Sequence, residues 1–368
     1  MCMDVNYRAR WKADCHFLLR FCSRPKSETG ITPSIDSHST NTEAPSIIPV
    51  IDFSKFLNGT AEQKLETAQE MIKAFSNSGF IYLSNHGVSK ATISQNFAAS
   101  KQLFDKPLQY KLDLEWESAE SNRGYVPQGR EKLTELDKHG RFDEIEKLRK
   151  ANPDLKETFE IGKRGDVFMN RIPADWPEFE TITEELFDEM QTLNVNVMNC
   201  INLGLDLPDD FLSSYVNKSE NTLRLLHYPQ VPESKLSEES RRAGAHCDYG
   251  SVTLLLQDDS GGLEVMDYKT NNFVKATPIP NTIVVNVGDM LQRWSNDRLK
   301  STLHRVVRPY KSTNGVFPER YSIAYFCNPN FDSFIECLPT CWSIENPKKY
   351  EGINSFDYLV SRLKSTYA

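Results

Sequence analysis

The chain has 368 residues, of which 39% are hydrophobic and 26% charged, so it can bury one large core or two modest domains. A formal net charge of −8 argues against nucleic acid as a partner, because phosphate binding needs clustered Lys and Arg. No apolar run approaches the ~20 residues that span a bilayer, so we expect a soluble protein without a membrane partner.

Eight cysteines are scattered along the chain, and no CxxC pair occurs among them. This pattern disfavours a zinc ribbon or a redox motif. A chain of this length does not need a disulfide framework, so a reducing compartment is the simpler interpretation. We therefore expect the protein to be cytoplasmic.

Residues 1–46 are predicted to be a disordered extension, because an Arg-rich start is followed by a stretch rich in Ser, Thr, Asn and Pro. An Arg-rich start is also found in mitochondrial transit peptides, which leaves mitochondrial targeting as the alternative location. Asp4 and Asp14 count against it, because such peptides avoid acidic residues.

Residues 47–210 are predicted to form an N-terminal region of mixed helices and strands. Leu65, Ala68, Ile72 and Phe75 recur at helical spacing and predict one buried helical stripe. A charged segment over 130–150 is predicted to be a solvated helix. The other predicted helices cover about 61–77, 89–104 and 177–203, and the predicted strands cover 47–52, 80–83 and 158–161.

After residue 210 the chain changes to short strands separated by Gly, Pro, Asn and Asp turns, which is typical of an all-β barrel or a double-sheet jelly roll. We assign 211–335 to this core and 336–368 to a C-terminal helical segment whose helix begins near residue 355. The predicted core strands are 223–228, 252–257, 263–265, 282–287, 302–307 and 320–326.

Three side chains form the candidate metal site: His246, Asp248 and His304. Two imidazoles and one carboxylate suit a non-haem Fe(II) with open positions, whereas all-oxygen sites favour Mg or Ca and thiolate-rich sites favour Zn or Fe–S. Side chains repeat every two residues along a strand, so His246 and Asp248 would share one side of it. About three intervening strands would return His304 to the pair. The alternative is a hydrogen-bonded loop pair and a core histidine.

The remaining histidines are predicted not to bind a metal. His86 lies in the turn formed by Asn85-His86-Gly87 and is interpreted as a structural turn residue. His227 alternates with Tyr228 and so points to the opposite face of its strand. His16 and His38 lie in the extension, and His139 lies in a polar stretch.

Arg320 and Ser322 lie two residues apart on a predicted strand and so share a face. A guanidinium pairs bidentately with a carboxylate, and a serine adds one hydroxyl donor. Beside a metal, this pair would anchor the far carboxylate of a small dicarboxylic acid. The spacing is equally compatible with a strand arginine in a surface ion pair.

Three long segments resemble the Fe(II)/2-oxoglutarate-dependent dioxygenases of the isopenicillin N synthase-like superfamily: HCDYGSVTLLLQDDSGGLEV, NTIVVNVGDMLQRWSNDRLKSTLHRVV and RYSIAYFCNPN. The segments IPVIDFSKF and GFIYLSNHGV resemble the N-terminal region of that family. The resemblance covers about 47–367. Within the family, LRLLHYP and KYEGINS are most similar to fungal members of the thymine hydroxylase type.

The resemblance implies a mainly β fold with flanking helices and a distorted double-stranded β-helix (jelly roll) core. It implies Fe(II) held by His246, Asp248 and His304, and 2-oxoglutarate held at its distal carboxylate by Arg320 and Ser322.

The resemblance also implies roles for four residues around the co-substrate and the substrate. Tyr228 would lie near the co-substrate, and Arg224, Tyr249 and Phe326 would line the substrate side. Phe326 would stack on a flat ring, and Arg224 would donate hydrogen bonds to carbonyl oxygens. The alternative is that Phe326 belongs to the barrel core and Arg224 pairs with a nearby acid.

The implied activity is oxidation, and most simply hydroxylation, of a C–H bond of a small organic molecule with release of succinate and CO2. O2 is the second co-substrate, and ascorbate would support activity in vitro. The alternatives are an oxidase of the same fold that does not use 2-oxoglutarate and a non-catalytic small-molecule-binding relative. The sequence leaves the substrate open: it could be a pyrimidine base, a fungal secondary metabolite or another heterocycle. It also does not separate hydroxylation from desaturation or cyclisation, and it does not give the oligomeric state.

Overall fold

Two β-sheets and a layer of helices organise the computed structural model of the chain. All described elements belong to Pro45–Ala368, one of the two units into which the chain divides. The predicted extension 1–46 and most of the predicted helix over 130–150 lie outside the described residues. The structure describes residues 47–131, 154–235, 241–309 and 312–367.

The described strands are numbered along the chain. They are β1 (Val50–Asp52), β2 (Phe80–Ser84), β3 (Gly124–Val126), β4 (Glu157–Gly162), β5 (Thr222–Tyr228), β6 (Val231–Pro232), β7 (Arg241–His246), β8 (Val252–Gln257), β9 (Leu263–Asp267), β10 (Asn272–Lys275), β11 (Thr282–Val287), β12 (His304–Val307), β13 (Val316–Phe317), β14 (Arg320–Phe326), β15 (Phe334–Ile335) and β16 (Ile353–Asn354).

The described helices are numbered in the same way. They are α1 (Ser54–Asn58), α2 (Ala61–Asn77), α3 (Lys90–Phe104), α4 (Leu108–Leu112), α5 (Glu178–Gly204), α6 (Phe211–Ser214), α7 (Asp289–Trp294) and α8 (Ser355–Tyr367), with 3₁₀ turns at Glu233–Lys235 and Pro339–Cys341. Among the described residues, no helix combines the length and apolar composition that crossing a bilayer requires.

Two main sheets carry the fold. The larger has the order β1-β2-β11-β8-β14-β5-β4-β3, and the smaller has the order β10-β9-β12-β7. Strands β1 and β2 are parallel, whereas the other pairings within these two sheets are antiparallel. This arrangement, with helices against the larger sheet, confirms the predicted mainly β class.

Alternation along β5 shows why the site lies between the sheets. Leu223 and Leu225 pack into the large core that the sheet shares with the helices. Leu226 and Tyr228 belong instead to a second core with residues of the smaller sheet, such as Val265. Successive side chains of a strand point to opposite faces. One face of β5 therefore packs against the helices, and the other faces the interior of the jelly roll.

The predicted helix over 61–77 is confirmed as α2, but its buried stripe is only partly right. Thr60 and Gln63 form a reciprocal capping box at its start. Leu65 is 43% exposed, so it lies off the stripe that buries Ala68. Past its end, Gly79 has φ +70°, and an added Cβ would lie 2.1 Å from the Lys300 carbonyl oxygen, so only glycine fits there.

Several described elements were not predicted from the sequence, among them strands β3, β7 and β10 and helix α7. Strand β7 has the sequence RRAGAH, which has no β-branched residue and no Phe, Tyr or Trp, and so gives little strand signal. Its pairing with β12 and the packing of Ala243 against the second core form it instead. Tertiary contacts therefore determine this strand, which ends at His246.

Candidate metal centre

His246 and His304 face each other across two neighbouring antiparallel strands. Their Cα positions are register partners in the β7–β12 pair, and their ring centroids lie 4.4 Å apart. Asp248 Oδ1 lies 3.7 Å from His246 Nε2 and 3.6 Å from His304 Nε2. Among the described residues, this is the one group of at least three His, Cys, Asp or Glu side chains whose donor atoms come together, all within 4.8 Å.

Asp248 reaches this position from a loop and not from a strand. His246 is the last residue of β7, so the prediction that both residues lie on one side of a strand is wrong. The Asp248 carbonyl oxygen accepts a hydrogen bond from the Asp289 amide at 2.7 Å, at the start of α7. The start of this helix therefore holds the loop that aims the carboxylate at the imidazoles.

Each imidazole makes a backbone hydrogen bond through Nδ1. His246 Nδ1 lies 2.8 Å from the Gly244 carbonyl oxygen, and His304 Nδ1 lies 3.1 Å from that of Thr302. A carbonyl only accepts, so Nδ1 carries a proton in each ring, and in the neutral form Nε2 keeps its lone pair. Burial, with the neighbouring His304, lowers the pKa of His246 to about 3. Both features favour a neutral imidazole that can bind a metal.

The Asp248 carboxylate uses its two oxygens differently. Oδ2 accepts hydrogen bonds from Thr253 Oγ1 at 2.6 Å and from Asn286 Nδ2 at 2.7 Å. Oδ1 faces the two imidazoles. Burial alone would raise the pKa of Asp248, but His304, His246 and these two donors hold the pKa below its ordinary value. An anionic oxygen is therefore directed at the point where both Nε2 atoms converge.

Arg320 is a buried cation at the wall of a cavity that also reaches the three candidate ligands. It is 1% exposed, Nη1 donates to Ser322 Oγ at 2.9 Å, and Nε donates to the Gly261 carbonyl at 3.0 Å. Its guanidinium lies 4.9 Å from the centre of the Tyr228 ring. No described carboxylate pairs with Arg320 within 4.0 Å, so the surface ion pair that the spacing left open does not form.

A second cavity meets the first at His246 and Asp248. Arg224 and Phe326 line both cavities. Arg224 forms ion pairs with Glu131 at 2.9 Å and Glu160 at 2.7 Å. The alternative in which Arg224 pairs with an acid is thus what the structure shows.

Helix α8 forms part of the wall of this second cavity. Tyr249 and Thr366 share a hydrogen bond of 2.6 Å between their hydroxyls, and both line the space. Leu359 and Leu363 add apolar surface from the same helix. The C-terminal helix and the loop after Asp248 therefore meet at the wall of this second cavity.

Family models match both halves of the described structure. The 2OG-Fe(II) oxygenase superfamily matches residues 219–329, and the N-terminal region of non-haem dioxygenases in morphine synthesis matches residues 48–179. The 2-oxoglutarate-dependent dioxygenase frbA of Dothideomycetidae sp. is 34% identical, over 87% of this chain and 97% of that protein. The chain belongs to the 2OG-Fe(II) oxygenase superfamily.

Comparison with solved structures shows which members of the superfamily this chain is similar to. A thymine hydroxylase of Neurospora crassa, in complex with alpha-KG and thymine, is 47% identical, with a TM-score of 0.79, over 87% of this chain and 97% of that one. The proline hydroxylase buaE of Petromyces alliaceus is 34% identical, over 86% of this chain and 98% of that protein. The resemblance to fungal members of the thymine hydroxylase type is confirmed.

Membership of the 2OG-Fe(II) oxygenases makes the chain an oxidoreductase that uses Fe(II), 2-oxoglutarate and O2. The donors that converge here fit such an iron, because two neutral imidazole nitrogens and one carboxylate oxygen are the set that non-haem Fe(II) oxygenases use. Three donors leave further coordination positions for a co-substrate and O2.

The two described histidines away from the centre have other contacts. His86 is buried in its turn, and its Nδ1 accepts a hydrogen bond from the Val88 amide at 3.2 Å. His227 points to the helix side of β5, where Nδ1 lies 2.7 Å from Glu157 and the ring stacks on Tyr321. His16, His38 and His139 lie outside the described residues.

Sequence reasoning missed the residues that hold the candidate ligands, above all Thr253 and Asn286. A signal was present, because each is a polar residue inside an apolar strand, as in TIVVNV of β11. Both are buried, and both face Asp248. A buried polar side chain in such a strand must find a hydrogen-bond partner, and here the partner is a candidate metal ligand.

Replacing Asn286 by Ala is expected to weaken binding of Mn(II), a stand-in for Fe(II), by about 10- to 100-fold, because it removes one of the two donors that orient Asp248. Titration of the metal-free protein measures the effect. Asn194→Ala is the matched control, since Asn194 is equally buried in the distant helix α5. Equal Mn(II) affinity in the Asn286 variant and the wild type would contradict this role.

Proposed function

We propose that His246, Asp248 and His304 hold one Fe(II) and that Arg320 and Ser322 bind the distal carboxylate of 2-oxoglutarate. The observation that carries this proposal is the buried Arg320, which lacks a described acidic partner and shares a cavity with the three ligands. Leaving a cation unpaired in a protein interior costs several kcal/mol, so the arrangement favours an anionic ligand. When bound, the iron with 2-oxoglutarate and O2 supplies the oxidation of a C–H bond.

The chain's own residues position the co-substrate. The planar guanidinium of Arg320 offers two parallel donors, and the Ser322 hydroxyl beside it offers a third. The Tyr228 ring lies against the guanidinium and fixes its plane. Apolar side chains complete the cavity and exclude water: Phe80, Leu226, Leu255, Leu263, Val306 and Ala324.

We infer that the substrate is a neutral, flat molecule of the pyrimidine type. Phe326 presents a ring to the second cavity, and Arg224 lies 4.9 Å from it. The charge of Arg224 is offset by Glu131 and Glu160, which makes it a hydrogen-bond donor to carbonyl oxygens and a poor receptor for an anion. Tyr249 would close the substrate side. The Neurospora crassa structures with thymine and with 5-formyluracil support this class.

The test measures release of succinate and CO2 in the presence of Fe(II), 2-oxoglutarate and ascorbate. Thymine, 5-formyluracil and L-proline are compared as candidate substrates. We expect a pyrimidine to stimulate turnover most. A gain of one oxygen atom in the product identifies hydroxylation, whereas a loss of two hydrogens identifies desaturation or ring closure. Substrate oxidation that persists without 2-oxoglutarate would establish the oxidase instead. A protein that binds the metal and the pyrimidine but consumes no O2 would be the non-catalytic relative.

Phe326→Ala is expected to raise the KM for the pyrimidine about tenfold or more, because stacking a base on an aromatic ring contributes roughly 1–3 kcal/mol. The KM for 2-oxoglutarate should change much less. Steady-state kinetics with each substrate varied in turn measure both. Phe334→Ala, at a phenylalanine that is 58% exposed, is the control. An unchanged KM for the pyrimidine would place Phe326 in the barrel core alone.

We also propose 211–335 as the catalytic core, with 47–210 as its supporting region and 336–368 closing the substrate side. A reducing compartment suits the five described cysteines, because no two of them form a disulfide with each other. We propose the cytoplasm, and microscopy of a C-terminal fluorescent fusion of the full chain tests it against mitochondria.

A further inference from the structure

A buried lysine lies in the wall of the cavity that reaches the metal centre. Lys156 is 3% exposed and forms ion pairs with Asp154 at 3.0 Å and Glu131 at 2.9 Å. Burial alone would lower its pKa, but these two carboxylates outweigh burial and raise the pKa. The ammonium group is therefore charged and held between two acids from separate parts of the chain.

One of these acids connects Lys156 to a candidate metal ligand. Asp154 Oδ1 accepts a hydrogen bond from the Gly244 amide at 3.0 Å, while its Oδ2 faces Lys156. The carbonyl of the same Gly244 accepts the His246 Nδ1 proton at 2.8 Å. Asp154 thus holds Gly244 by its amide, and the carbonyl of that residue sets the tautomer and the orientation of His246.

The other acid connects Lys156 to the substrate side. Glu131 Oε2 faces Lys156, and its Oε1 accepts from Arg224 Nη1 at 2.9 Å. Arg224 lies over the Phe326 ring. Without the lysine, Glu131 and Asp154 would be two buried like charges in one cluster, and each would move to reach another donor or water.

We propose that Lys156 is a positioning residue for the metal centre. Lys156 orients His246 through Asp154 and Gly244, and it holds Arg224 at the substrate cavity through Glu131. This inference rests on the proposed function only in taking His246 as a ligand. An ordinary structural ion pair would contribute to folding and leave metal affinity unchanged. The pair of Lys111 and Glu157, at 2.8 Å and equally buried on the helix side of the sheet, is such a comparison.

The test is titration of the metal-free full chain with Mn(II) alone. We expect Lys156→Met to raise the Kd for Mn(II) about 10- to 100-fold, the range for partners that orient a metal ligand. Lys156→Arg keeps the charge and should recover most of the affinity. Lys111→Met should lower the melting temperature without changing the Kd.

If Lys156→Met does not fold, Asp154→Ala decides the question, because Lys156 then keeps Glu131 as its partner. We expect its Kd for Mn(II) to rise about tenfold. Wild-type affinity in every folded variant would overturn the inference and leave Lys156 a structural residue. A wild-type chain that binds no Mn(II) would overturn the proposed metal site itself, together with this inference.

Discussion

Asp248→Ala is expected to lower 2-oxoglutarate turnover by more than about 100-fold, because it removes the carboxylate that faces both imidazoles. The loss should exceed the 10- to 100-fold effect of removing a group that only orients a ligand. Succinate release measured at saturating Fe(II) gives the residual rate, and iron analysis of the purified variant gives its metal content. Both should fall together.

The matched control for Asp248→Ala is Glu264→Ala. Glu264 lies on β9 and pairs with Arg305, the residue that follows His304 and points away from the centre. Its removal should leave turnover within a small factor of the wild type. An Asp248 variant that retains wild-type activity and iron content would overturn the ligand assignment.

Arg320→Ala is expected to raise the KM for 2-oxoglutarate about 30- to 150-fold, since hydrogen bonds to a charged group contribute roughly 2–3 kcal/mol. Arg320→Lys should fall between this variant and the wild type, because an ammonium group lacks the planar fork. Kinetics with 2-oxoglutarate varied at saturating pyrimidine measure the shift.

Two comparisons separate this role from a general effect on the fold. Arg305→Ala removes a partly buried arginine of the smaller sheet and should leave the KM for 2-oxoglutarate unchanged. The KM for the pyrimidine should change little in the Arg320 variants. An unaltered KM for 2-oxoglutarate in Arg320→Ala would mean that its distal carboxylate binds elsewhere.

Elements with a strong local pattern could be predicted from the sequence. Strands β8, β11 and β14 have the predicted bounds, because each is an apolar run rich in β-branched or aromatic residues between turn residues. Helix α2 also has the predicted bounds, since a capping residue and a glycine mark its two ends. Strand β7 could not be predicted, because its neighbours and not its own residues determine it.

In the candidate site, too, some residues could be predicted from the sequence and others could be found only from the fold. His246, Asp248 and His304 could be nominated because few other residue sets offer that chemistry, and the structure brings them together. The register that places His304 opposite His246 depends on pairing across 58 positions, which no local pattern specifies. Lys156 and Glu131 resemble surface charges in the sequence, and only the fold shows them buried.

The most direct test of the metal site is a crystal structure with Mn(II) and 2-oxoglutarate, in which anomalous scattering locates the metal. We predict one strong peak about 2 Å from His246 Nε2, Asp248 Oδ1 and His304 Nε2. We also predict a carboxylate of the bound acid on the Arg320 guanidinium. A peak at another position, or a His304 ring turned away from the metal, would contradict this prediction.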